Sequence, residues 1–186
     1  DPEVRRALER DRIVPLEGAV ETLNSDVTFD AIVSVHVIEH VLDPPAMLQW
    51  IAAHLVPGGM VYLETPDTSA PAARVFGSRW GMTHFPRHMN LFSRDHLAML
   101  VRRHGLDIVR HSAVTSAAAW DMSVRNTLGL DARTTHRTPL EVFNYSNPVT
   151  LGLFTVLDLA IIAAGGRTSS QRLVARRPAG AEVGRR

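Results

Sequence analysis

Four histidines and a glutamate stand where acid–base or metal chemistry can be built: His36, Glu39 and His40 in the pentad HVIEH, and His84 and His88 in HFPRH. Read alone, His36-x-x-Glu39-His40 spells a zinc hydrolase pattern. Zinc needs both histidines on one helical face and a third ligand. The residues before His36 are β-branched and strand-like, and Asp43-Pro44 halts any helix soon after. The two rings should therefore splay, and no metal is expected at His36 and His40. His88 titrates near neutrality when unperturbed and suits a general base. Arg87 suits a carboxylate or phosphate. The competing reading is structural, with Glu39 capping backbone amides, His40 bonded beneath a loop, Arg87 pinned to carbonyls and His88 a buried donor.

These side chains need a scaffold, and the pattern predicts one. Asp1-Pro2 followed by EVRRALER reads as a capped helix start, and Arg12–Leu16 as a short strand. Phe29–Val37 is a nearly unbroken apolar, β-branched run, as expected of a central parallel strand buried on both faces. Asp43-Pro44-Pro45 precedes a helix over Ala46–Leu55, Pro57-Gly58-Gly59 reads as a turn, and Met60–Glu64 as the next strand. Thr65 to Leu91 reads as a loop containing Trp80, His84, Arg87 and His88. Ser93 caps a helix that runs to His104, and Leu106–Val114 and Gln171–Arg177 complete the strands. Alternation at this spacing predicts an α/β domain whose ligands sit at the carboxyl ends of the strands. Gly18 to Glu21, Val35 to His40 and Glu64 to Asp67 then share one rim.

The 186 residues, 45% hydrophobic and 21% charged, suit a single domain with its own core. A formal net charge of +1 gives no overall field for nucleic acid. Every basic residue is Arg, so the arginines near the end, Arg176 and Arg177 among them, are read as solvated. Without cysteine, disulfides and thiolate chemistry are excluded, and a cytoplasmic setting is expected. Val149 to Ala164 is apolar but short, with Asp158 near its middle. It is expected to be a buried or interfacial helix rather than a membrane crossing, covering a substrate pocket or forming a homodimer face.

The segment FDAIVSVHVIEHVLDPPAMLQWIAAHLVPGGMVYLETPD, Phe29 to Asp67, resembles the middle of class I S-adenosylmethionine-dependent methyltransferases. It is most similar to the subgroup that reads FD, EH, DP, L-x-PGG and ETP in order. HFPRHMNLFSRDHLAMLVRRHGL, His84 to Leu106, continues the same pattern. The resemblance covers about Asp1 to Ala113. It implies a Rossmann-like, mainly parallel sheet ending in an antiparallel strand pair, in one partial methyltransferase-like domain over residues 1–186. Residues 115–170 would be a mostly helical insertion over the substrate.

The family's first strand and glycine-rich loop would precede Asp1. Asp1 would be, or directly follow, the acid that holds the ribose hydroxyls. A chain beginning there would bind cofactor weakly and be inactive alone. Gly18, Ala19 and Val20 would border the adenine, with Ala19 where an acid is expected, so the contact falls to the backbone at Val20. Val35, His36 and Val37 would lie beside the methyl donor. Trp80, His84 and Arg87 would contact the acceptor, and His88 would be the catalytic base. The implied reaction is methyl transfer from S-adenosylmethionine to a small molecule through oxygen, nitrogen or carbon. The alternatives are a non-catalytic or partner-dependent fragment, and a zinc hydrolase.

Overall fold

The computed structural model describes residues 14, 16, 18–20, 22–23, 26–129 and 147–180. The expected first helix, Asp1 itself and most of the strand at Arg12–Leu16 lie outside the described residues. Four strands form one sheet: β1 (Phe29–Val35), β2 (Leu55–Pro66), β3 (Asp107–Val114) and β4 (Ser170–Arg176), in the order β1-β2-β4-β3. β1 and β2 are parallel, and β4 is antiparallel to both β2 and β3. Three strands therefore share one direction, and the predicted antiparallel pair is present, from Asp107↔Arg176 to Val114↔Ser170.

The first described helix, α1 (Pro44–His54), starts where the sequence says it must. The Asp43 carboxylate accepts the amide of Ala46 at 3.0 Å, and prolines occupy the first turn. Met47, Leu48 and Ile51 turn inward. Within the expected loop after β2 lie a short helix, α2 (Pro71–Phe76), and a 3-10 turn over Gly77–Arg79, which sequence reasoning missed. α3 (Arg94–Arg103) is capped by the Ser93 hydroxyl and buries Leu97, Leu100 and Val101. α1 and α3 enclose the core with Leu55, Val61, Leu63, Leu173 and Ala175 of the sheet.

The Pro57-Gly58-Gly59 step is not a reversal. β2 already runs from Leu55 and carries the step as an irregularity, because the ladder to β1 jumps from Phe29↔Leu55 to Ala31↔Met60. Gly58 sits at φ 83, and a Cβ at Gly59 would lie 2.9 Å from the Val56 carbonyl oxygen and 3.1 Å from that of Asp30. Arg177 clamps the step and is not solvated: it is 8% exposed. Its amide donates to the Gly59 carbonyl, its carbonyl accepts from Gly58, and its guanidinium donates to the carbonyls of Ala53 and Leu55. Those carbonyls are orphans of the α1 C-terminus, where a cation belongs.

β1 also departs from expectation. Val33 is 70% and Val35 46% exposed, and Met60 beside them on β2 is 40% exposed. The face of β1 that carries Val33 and Val35 is not covered by described residues, and β1 has β2 as its sole ladder partner among them. The apolar run predicted two covered faces, and the described helices supply one.

α4 (Ala117–Leu128) packs on α5 (Pro148–Ala163), with Trp120 stacked on Phe154 at 6.1 Å between centroids. Asp158, the one charge in the apolar stretch, is fully buried. It accepts from the Trp120 indole at 2.7 Å and from the Ser116 amide at the α4 N-terminus. No helix among the described residues is long and apolar enough to cross a membrane.

Asp121, on α4, is also fully buried, and neither carboxylate oxygen has a hydrogen-bond partner among the described residues. Burial pushes its carboxyl above the ordinary value, against a smaller opposite pull from Arg125. The folded protein then holds a proton that the unfolded chain releases. The cost of ionising Asp121 is absent below the ordinary carboxylate range, grows as pH rises, and is full above the raised folded value. Asp121→Asn should therefore stabilise the chain at pH 7 by about 1–3 kcal/mol. The gain should vanish at acid pH, as read from urea unfolding at both values. An equal gain at every pH would show that ionisation is not the cause.

Candidate active site

The site begins where β1 stops. The His36 amide donates to the Glu64 carbonyl of β2 at 2.9 Å, one step past the strand, and His36 itself adopts φ 51. A non-glycine residue there is strained and persists only where its surroundings hold it. Here the next turn holds it. His40 N donates to the Val37 carbonyl, and His36 Nδ1 donates to Glu39 Oε1 at 2.9 Å. Glu39 is fully buried, and its other oxygen accepts the Thr65 hydroxyl at 3.0 Å. Glu39 thus ties the end of β1 to the end of β2.

Burial opposes ionisation of Glu39. The His36 ring, its own amide and the Thr65 hydroxyl outweigh that and hold the carboxyl below its ordinary value. The same bond raises His36, against burial. On the open face of the sheet, Glu64 accepts from the Tyr62 hydroxyl at 2.6 Å and pairs with Arg172 at 3.5 Å, and His36 Nε2 lies 4.0 Å from it.

The loop before α3 closes over this turn. The amides of Met89 and Asn90 donate to the Glu39 carbonyl at 2.9 and 3.1 Å, and the Asn90 side-chain amide donates to the Val41 carbonyl at 2.7 Å. His40 Nδ1 donates to the Arg87 carbonyl at 2.8 Å, and His88 Nδ1 to the Met82 carbonyl at 2.6 Å. The rings of His40 and His88 meet edge to face at 4.7 Å, and those of His84 and His88 at 5.3 Å. Burial lowers His88 below its ordinary value against the opposite pull of the Met82 carbonyl and the Glu39 charge, and the bond to Met82 leaves Nε2 as the open ring nitrogen.

The structure brings His36, Glu39, His40, His84 and His88 to one corner, with Val35 and Val37 partly exposed beside them. Other candidates lie elsewhere. Trp80 is 3% exposed and gives its indole N–H to Ser169 at 3.1 Å, and Phe92 joins the core, whereas Phe85 is exposed. Arg87 contributes its carbonyl to His40, while its side chain is exposed. Gly18 and Ala19 are exposed in a turn, where Thr22 donates to the Ala19 carbonyl, and Val20 packs against the core.

Sequence reasoning placed Glu64 and Thr65 on the rim without a role, and missed Asn90, Tyr62 and Arg172. The ETP triplet ending β2, placed beside the EH pair ending β1, was the available signal for Thr65. A cleft of about 530 Å³ lies apart from the corner, between Pro71, Arg74 and Val75 on one side and Gly165 to Arg167 on the other.

Comparison with known proteins agrees with this fold. Residues 4–111 match the family model described as a methyltransferase domain. The ubiquinone biosynthesis O-methyltransferase of Cereibacter sphaeroides strain ATCC 17029 is 32% identical over 103 residues, 52% of this chain and 42% of that protein. The enzyme of the same name from Parvibaculum lavamentivorans is 39% identical over 62 residues, 32% of this chain and 24% of that protein. The chain thus matches less than half the length of these relatives.

Among solved structures, the [4+2]-cyclase SpnF superposes with a TM-score of 0.57 at 17% identity, covering 95% of this chain and 61% of that one. A methyltransferase from Thermotoga maritima, described as a possible histamine N-methyltransferase, gives 0.53 at 16%, covering 94% and 69%. These likenesses speak for the fold, and a cyclase among them shows that the fold alone does not fix the reaction. The family match spans more than half the chain, and the chain belongs to the methyltransferase domain family in its class I, Rossmann-like form.

Proposed function

We propose that this protein transfers a methyl group from S-adenosylmethionine to an oxygen of a small-molecule acceptor, with His88 on the acceptor side. The observation that carries the reading is the fixed orientation of the His88 ring. Its Nδ1–H is fixed by the Met82 carbonyl, and its Nε2 is left to accept a proton at the carboxyl end of β1. The O-methyltransferase relatives support oxygen over nitrogen or carbon.

The residues present suit the cofactor in part. Val35 and Val37 offer exposed apolar surface on either side of the strained His36, where a flat ring can lie, and Gly18 at φ 129 allows close backbone approach. Val35, His36, Val37 and the Gly18–Val20 turn would hold it, and when bound it supplies a methyl group already activated by its sulfonium. The chain's own work is then to fix the corner, exclude water and take the acceptor's proton.

The test uses the full-length protein with S-adenosylmethionine and a panel of hydroxylated aromatic acceptors, read by mass gain of the product. His88→Ala should lower turnover roughly 10²-fold with cofactor affinity unchanged. Equal loss of melting temperature and cofactor binding would make His88 a structural donor. A protein that binds the cofactor but methylates only nitrogen or carbon would overturn the assignment to oxygen.

A further inference from the structure

We propose that Glu39, His40 and His88 form a binding site for one divalent transition-metal ion of the zinc class. One ligand atom from each of the three lies within 4.8 Å of the others, although His88 comes from a distant loop. This differs from the spelled H-x-x-E-H pattern. His36 spends its Nδ1 on Glu39 and is an outer residue, and His88 supplies what His36 cannot.

The ring chemistry supports the assignment. Both imidazoles give Nδ1–H to a backbone carbonyl, His40 to Arg87 and His88 to Met82. A carbonyl only accepts, so Nδ1 carries a proton in both rings, and Nε2 is the atom each ring has left to offer an ion. Two histidines locked in the same tautomer by main-chain acceptors are what metal-ligating histidines require of their surroundings. The locks are themselves anchored, because the Met89 and Asn90 amides tie the loop to the Glu39 carbonyl.

The third group supplies charge. Glu39 is a fully buried carboxylate, His36 and Thr65 each donate to one of its oxygens, and each oxygen keeps a further lone pair. A buried anion is stabilised by a nearby cation. Two nitrogens and one carboxylate are a donor set that zinc takes in open, catalytic-type sites, where the fourth position holds water or substrate. His40 is exposed, so that position faces solvent. Closing the group to the about 3.3 Å ligand–ligand edge of a tetrahedral site needs at most roughly 1.5 Å of side-chain adjustment.

Binding of the ion does not depend on the methyl-transfer reading. If both hold, the His88 lone pair is on the ion. An acceptor hydroxyl in the open position would then be made more acidic by the ion and would give its proton to solvent water rather than to the ring.

The experiment is a titration of the chelator-stripped full chain with Co2+, followed by competition with Zn2+, without cofactor or acceptor. The expected result is one equivalent per chain, with the intense visible bands of a tetrahedral site, displaced by Zn2+. His40→Ala and His88→Ala should each weaken binding ten-fold or more, and so should Glu39→Gln, which keeps the shape of the side chain. His96→Ala, an exposed histidine on α3, should bind as the parent does. Melting in EDTA identifies variants that fold as the parent does, and only those are compared. Absence of a one-to-one complex, or affinity unchanged in folded His40→Ala and His88→Ala, would overturn the proposal and leave the methyl-transfer reading standing.

Discussion

Trp80→Ala should lower the free energy of unfolding by about 3–5 kcal/mol, the range for emptying a buried large aromatic. The indole is 3% exposed, and its N–H bonds Ser169, itself 1% exposed. Losing the ring therefore also strands a buried hydroxyl. The surroundings have little freedom to collapse into the gap. The neighbouring Gly81 donates its amide to Ser123 of α4 at 2.8 Å, and a Cβ there would lie 2.5 Å from the Met122 Cβ, so α4 already rests on this backbone. Urea unfolding should show a lower midpoint with an unchanged slope. Trp80→Phe should recover most of the loss, apart from the bond to Ser169. If Trp80 instead lined an acceptor pocket, as its place in the post-strand loop suggests from sequence, Trp80→Ala would leave the midpoint in place and raise only the KM for acceptor.

The contrast marks what the sequence could and could not say. Element positions were legible wherever a local rule sets them. Asp43 and Ser93 cap their helices, Leu106–Val114 and Gln171–Arg177 form the antiparallel pair within a residue at each end, and the pentad HVIEH does stand at a strand terminus. Partnership was less legible, because it depends on what lies opposite in space. Arg177 looked solvated beside Arg176, yet the α1 carbonyls it satisfies are more than a hundred residues away. Asp158 looked like a flaw in an apolar run, yet it holds the start of α4. Val33 and Val35 looked doubly buried, because a continuous β-branched run erases the two-residue period that would tell one face from the other. At the site, the HVIEH letters were visible but their division of labour was not. Nothing in the pentad says that His36 turns back onto Glu39 while His40 turns out toward Arg87 and His88.

That division makes Glu39 the side chain on which the corner depends most, and its removal has the second large expected effect. Glu39→Ala deletes two hydrogen bonds to a buried carboxylate, one from His36 and one from Thr65. Bonds to a charged group contribute about 1.5–3 kcal/mol each, so a loss of roughly 3–6 kcal/mol is expected. Two features push toward the upper part of that range. Thr65 is fully buried and would keep an unpaired hydroxyl, and His36 would hold its positive φ without the contact that offsets the strain. The backbone clamp from Met89 and Asn90 uses the Glu39 carbonyl and survives any substitution there, so the loss should be local to the β1–β2 corner. Hydrogen exchange should show it as faster exchange of the His36 amide, which bonds the Glu64 carbonyl, with the antiparallel β3–β4 ladder unaffected until global unfolding.

Glu39→Gln separates shape from charge. The glutamine oxygen can accept from Thr65, and its amide can donate to a neutral His36, so stability should fall by much less than in Glu39→Ala at pH 7. If the two variants lose equal stability, the negative charge rather than the two hydrogen bonds is what holds the corner. If neither loses any, Glu39 is dispensable to the fold, and its burial calls for a functional explanation alone.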